Sequence, residues 1–165
     1  RFVVASDGGL ALTNNVTATT VAWSLFNSQY QTFQYYHVAI DPAAGSTVFA
    51  GGAQDNSTSY KDAKGLLSTP LPDPNDHYII IGGDGGSTAL SASTSTSQYV
   101  YGSIQEGIVA RFFVNGASTT NPVRIDPNTA SSSEFITYFH LDPENTNVMY
   151  YADGSSLYRT TSATT

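Results

Sequence analysis

Short apolar runs recur along the chain, and each is closed by the same kind of turn. Val3-Val4-Ala5-Ser6 runs into Asp7-Gly8-Gly9, and Val48-Phe49-Ala50-Gly51-Gly52-Ala53 into Gln54-Asp55-Asn56. Val100-Tyr101-Gly102-Ser103-Ile104 runs into Gln105-Glu106-Gly107, and Met149-Tyr150-Tyr151-Ala152 into Asp153-Gly154. An acidic residue followed by Gly or Asn signals a hairpin, because such turns need a residue that accepts positive φ. No stretch sustains the three-to-four residue spacing of an amphipathic helix.

The acidic positions 7, 55, 106 and 153 are spaced by 48, 51 and 47 residues. A second landmark agrees. Ile40-Asp41-Pro42 and Leu141-Asp142-Pro143 lie 101 residues apart, two such periods, and each ends an aromatic-rich run, Phe33 to Ile40 and Phe135 to Leu141. A period near fifty residues in an all-β sequence predicts β-propeller blades, four-stranded antiparallel units in series. The first strand of each unit ends at Asp-Pro and the second at the acidic turn. The third follows that turn, as in Leu10 to Thr13, Ile108 to Phe113 and Leu157 to Thr160. A weaker fourth covers Val21 to Phe26 and Val123 to Ile125.

This divides the 165 residues into one array: a partial blade over 1–27, a blade over 28–76, a blade over 77–127 and a partial blade over 128–165. Pro70, Pro72 and Pro74 mark 61–76 as a loop. The first unit then lacks its first strand and the last its fourth. The expectation is a segment of a larger propeller, completed by the remainder of a longer chain or by neighbouring copies, because open sheet edges leave backbone groups unpaired.

Composition narrows the function. Only six Lys and Arg stand against thirteen Asp and Glu, for a net charge of −7. The cations are scattered, so no basic face for nucleic acid or an anionic membrane can be assembled. No apolar run is long enough for membrane insertion. With no Cys there is neither a disulfide nor a thiolate metal site. The low Lys content and abundant Ser, Thr, Asn and Tyr lean towards a secreted or cell-surface protein. Sequons stand at Asn15 and Asn56.

Gly82-Gly83-Asp84-Gly85-Gly86 is the most unusual motif. Its glycines would let backbone approach a ligand, and Asp84 could meet a sugar hydroxyl, a cation or a proton. The same residues also suit a tight turn in which Asp84 accepts backbone N–H bonds. Neither a Lys-Ser/Thr pair nor a helix follows, which excludes a phosphate loop. With the Gln-Asp-Asn turn, the motif gives Gln54, Asp55, Asn56, Gly83, Asp84 and Gly85 as candidate ligand-binding residues. His37 and His140 join them, each two or four residues before an Asp and on the same face of its strand. Together with His77 they do not have metal-ligand spacing, so no metal is assigned; no cofactor is expected, and no motif indicates calcium. Glycoside hydrolysis needs two carboxylates about 5 to 10 Å apart, and Asp7 with Asp84 is the best catalytic pair. The four Arg residues fall in different units, against a sialidase-type carboxylate clamp.

In order along the chain, Asp7-Gly8-Gly9, Trp23, Phe33 to Pro42, Gly51 to Asn56, Gly82 to Gly86, Tyr101 to Gln105, Gly107 to Arg111 and Tyr150 to Thr161 resemble the sortilin-like, BNR (Asp-box) repeat propellers. The resemblance covers nearly the whole chain. It implies a propeller from the large secreted bacterial proteins labelled glycosyl hydrolase. Xyloglucanase-type members carry catalytic Asp residues in Asp-x-Gly-Gly contexts, which Ser6-Asp7-Gly8-Gly9 and Gly83-Asp84-Gly85-Gly86 partly match. The Asp box itself is degenerate: its first copy reads Thr13-Asn14-Asn15-Val16. The leading expectation is an extracellular module for recognition or scaffolding that binds a glycan or a protein. The alternatives are a glycoside hydrolase fragment and a subunit of an extracellular assembly.

Overall fold

The computed structural model describes residues 1–6, 9–26, 34–67, 77–116, 121–127 and 134–165. Among them the chain is all β, with fourteen strands in four antiparallel sheets and no helix. It forms two compact units, Arg1–Phe33 and Gln34–Thr165.

The first unit holds one three-stranded sheet, β1 (Phe2–Ser6), β2 (Gly9–Thr13) and β3 (Ser24–Leu25), paired in that order. The second holds three sheets, each a meander laid down in chain order. One comprises β4 (Tyr35–Ile40), β5 (Phe49–Ala53), β6 (Thr58–Lys61) and β7 (Tyr78–Ile81). The next comprises β8 (Thr88–Leu90), β9 (Gln98–Ser103), β10 (Val109–Val114) and β11 (Val123–Arg124). The last comprises β12 (Phe139–Leu141), β13 (Met149–Asp153) and β14 (Ser156–Thr160). The first strands adjoin in sequence, β4 beside β8 and β8 beside β12.

Side-chain alternation along β9 and β10 explains the stacking of these sheets. Val100, Ala110, Phe112 and Val114 pack with Ala50, Tyr60, Ile80 and Ile81 from the β4–β7 sheet. Tyr101 and Val109 point the other way, into a second core with Phe139, Leu141, Met149 and Tyr151. The β8–β11 sheet is therefore covered on both faces. The β4 strand is covered on one, with Val38 and Ile40 exposed.

The Asp-Pro landmarks form matching hairpins. Asp41 N donates to Val48 O and Asp142 N to Val148 O, both at 3.0 Å. Each carboxylate also accepts a local N–H, from Ala43 and from Glu144. In the intervening sheet the corresponding bond runs from Ser91 N to Tyr99 O, so Ser91-Ala92 stands where Asp-Pro would be.

Two sequence expectations are corrected. The boundary at 76/77 assigns Tyr78–Ile81 to the following unit, but it is the fourth strand of the sheet begun by β4, pairing with β6. The change of sheet falls in the glycine segment 82–86. The acidic turn residues are also not all geometrically equivalent. Asp55 and Glu106 sit in three-residue loops, closed by Ala53 N to Ser57 O and Ile104 N to Ile108 O, and take positive φ of 58° and 62°. Asp153 instead ends β13 and pairs with Ser156, leaving positive φ to Gly154. Its counterpart in the first sheet is Ser6, paired with Gly9. Asp7 lies outside the described residues, as does 68–76 of the Pro-rich loop.

Candidate functional site

The two glycine-rich blocks meet because each removes a side chain from the other's path. A Cβ on Gly52 would lie 2.1 Å from Gly86 O, and one on Gly85 would lie 2.1 Å from Ser57 O. Both distances are far below van der Waals contact with backbone. The Gly85 N–H donates to Ala53 O at 3.0 Å, and Gly86 N–H to Ser103 O at 2.8 Å. The 82–86 segment thus passes from one sheet to the next with its backbone pressed against the β5–β6 turn.

This approach places Asp84 beside two hairpin loops. Its Oδ1 accepts the Asp55 N–H at 2.9 Å. Its Oδ2 accepts from Gln105 Nε2 at 3.2 Å, while Gln105 Oε1 accepts the Asp84 N–H at 3.1 Å. The Gln105 amide and Asp84 therefore bond reciprocally. Gly83 lies against the same amide, since a Cβ there would come 2.9 Å from Gln105 Oε1. Around the loop, the Tyr36 hydroxyl donates to Gln54 Oε1, and Asn56 Nδ2 donates to Gln54 O at 3.0 Å. Gln54, Asp55, Asn56, Gly83, Asp84 and Gly85, drawn from two separate sequence blocks, thus form one polar cluster at the loop end of the second unit. Gln54 and Asp55 are exposed and Asp84 is half-buried.

The histidines separate. His37 is half-buried on β4, and its Nδ1 accepts the Thr88 N–H at 3.3 Å from β8. Accepting there requires an unprotonated Nδ1. His140 is exposed on β12, opposite Tyr150. His77 contacts Tyr35 Oη at 3.3 Å and packs edge-on against Phe49. Among the described residues no group of three His, Cys, Asp or Glu could hold a metal ion. The Asp7–Asp84 pair falls outside the described residues through Asp7.

Sequence reasoning missed three features. Gln105 precedes Glu106 as Gln54 precedes Asp55, so the repeat itself carried the signal for Gln105. Asp41 extends beyond its own turn. It accepts Ser93 N at 3.0 Å and the Ser93 hydroxyl, with Lys64 Nζ at 3.6 Å. Burial pushes its carboxyl up, but hydrogen bonds from Ser46, Ser93 and the Ala43 and Ser93 amides outweigh this and hold it at about 2. The third feature is a cleft of about 340 Å³ between the last two sheets, lined by Val109, Ile125, Asp126, Met149, Tyr151, Tyr158 and Arg159. Asp126 is held there by Arg124 Nε at 2.7 Å and Nη2 at 2.8 Å, and by Val109 N at 3.2 Å.

Comparison with family models, curated proteins and solved structures gives no match.

Proposed function

We propose that the chain is a run of consecutive β-propeller blades acting as an extracellular module for recognition or scaffolding, with a glycan or a protein as its ligand. The architecture supports the propeller reading: successive meanders each start from a first strand that adjoins the first strand of its neighbour. The composition supports the location, being poor in Lys, free of Cys and rich in Ser, Thr and Tyr. Completion of the three-stranded end sheets by further chain or neighbouring copies belongs to the same reading.

The observation that carries the non-catalytic reading is the engagement of Asp84. A glycosidase acid or nucleophile must turn a carboxylate oxygen to the substrate. Here one Asp84 oxygen holds the Asp55 N–H and the other holds Gln105, so the residue acts as a tie between loops. The exposed Gln54 and Asp55 leave polar groups on the same surface for a ligand.

A screen of glycans and polysaccharides against the chain, with release of reducing ends followed in parallel, tests this. Saturable binding without hydrolysis is expected. Hydrolysis that disappears in Asp84→Asn would overturn the proposal in favour of a glycoside hydrolase.

A further inference from the structure

The third strand of each sheet has an outer edge, and in three sheets a fourth strand covers it. β3 covers β2, β7 covers β6 and β11 covers β10. Among the described residues, nothing pairs with the corresponding edge of β14. We infer that this edge is a strand-accepting site whose occupant is an extended segment of another polypeptide, ending in an apolar residue.

The hairpin register identifies the groups involved. β13 and β14 are joined by a two-residue turn with Asp153 opposite Ser156. Along an antiparallel pair, alternate residues direct N–H and C=O to the partner and the others direct them away. Ser156, Tyr158 and Thr160 therefore bond to β13, while Leu157 and Arg159 present N–H and C=O to the open edge. The first sheet has the same turn length, with Ser6 opposite Gly9. There the next residue, Leu10, accepts the Phe26 N–H at 2.9 Å, and in the third sheet Val109 accepts the Ile125 N–H at 2.8 Å. Leu157 O is the counterpart of these two acceptors. Both donors are large apolar residues directly following a two-residue strand, Ser24-Leu25 and Val123-Arg124.

The surroundings fit such an occupant. The apolar interface between the last two sheets continues into the 340 Å³ cleft, where Ile125, Tyr151 and Tyr158 form walls beside β14. Leu157 is 73% exposed on the other face, so an added strand would cover apolar surface as well as pairing backbone. A free segment fits better than a folded second copy, because the fourth strands of this chain are already paired within their own sheets. Strand addition of this kind draws affinity from main-chain bonds and specificity from alternate side chains.

The inference goes beyond the proposed function and stands whether or not a glycan binds. Its test is titration of the whole chain with a synthetic peptide of residues 21–26, the strand that supplies the Phe26 donor, followed by amide exchange. The Leu157 and Arg159 amides are expected to exchange about tenfold more slowly at saturation, with Tyr158 unchanged because it already bonds to β13. The same peptide N-methylated at its final Phe lacks the donor and should lose binding. Leu157→Pro removes one outward N–H at a position where an edge strand tolerates Pro. It should also abolish binding, with Tyr158 protection reporting that the hairpin persists. Absence of protection at Leu157 and Arg159, or equal binding of the methylated peptide, would overturn the inference. Concentration-dependent protection of these amides without peptide would overturn the choice of occupant and give the edge to a second copy.

Discussion

The Asp84 carboxylate accepts the backbone N–H of Asp55 at 2.9 Å, twenty-nine residues away in sequence. Through Gln105 the same side chain reaches the β9–β10 loop, so one residue links the acidic turns of two successive sheets. Asp84→Ala should lose all of these bonds and destabilise the second unit by about 2 kcal/mol. Asp84→Asn keeps an acceptor for Asp55 and should lose less. Urea unfolding of the three proteins gives the order.

The glycine blocks make a sharper contrast. Gly85→Ala forces a Cβ into Ser57 O and the Ala53 amide, neither of which can rotate away. A loss of about 3 kcal/mol, or failure to fold, is expected for overpacking against backbone. Gly82 has nothing within 4 Å of the same position. Gly82→Ala should stay within about 0.5 kcal/mol of the parent. Thermal melts of the pair would separate steric need from mere glycine content.

Asp41 predicts an acid-sensitive range. Its carboxyl sits at about 2 in the fold, against an ordinary 3.8. As pH falls, the unfolded chain takes up the proton first, so stability from this group is complete above about 4 and lost towards pH 2. Asp41→Asn should cost about 2 kcal/mol at neutral pH and remove that part of the decline. Urea midpoints measured between pH 2 and 5 for both proteins test the sign.

Tyr60 is fully buried and donates its hydroxyl to Gln98 Oε1 at 2.9 Å, while Gln98 Nε2 donates to Ser91 O at 2.8 Å. Tyr60→Phe leaves a buried amide oxygen without its donor, and about 1 to 3 kcal/mol should be lost. Tyr60→Phe combined with Gln98→Leu removes both polar partners and should recover part of that loss, which a double-mutant cycle would show.

The strand pattern was readable because turn chemistry punctuates it. Asp-Pro and Asp-Gly pairs bracket runs such as Phe49–Ala53 and Met149–Asp153, which the structure forms as strands. The sheet boundary was misplaced because the Pro-rich stretch before Tyr78 looks like an end, whereas Tyr78–Ile81 returns across it to pair with β6. Position in the repeat suggested that Asp153 matches Asp7. Pairing instead aligns Asp153 with Ser6, because a two-residue turn and a three-residue turn shift the register by one. The pairing of the Gln54 and Asp84 blocks needed three-dimensional contact, but the need for glycine at 52 and 85 was its local trace. The reach of Asp41 to Ser93 had no local trace, since the turn to Ala43 already accounts for an Asp before Pro.

The double coverage of the β8–β11 sheet has an effect on how its sequence can drift. Val100 and Tyr101 are neighbours that serve opposite cores. Inserting or deleting one residue in β9 would exchange them and damage both interfaces at once. In β4 the same slip would exchange an apolar face with one that already exposes Val38 and Ile40, and a single interface would suffer. Copies flanked on both sides are thus held to a stricter spelling than copies with a free face, and divergence among repeats of one ancestor should accumulate fastest at the ends of the stack.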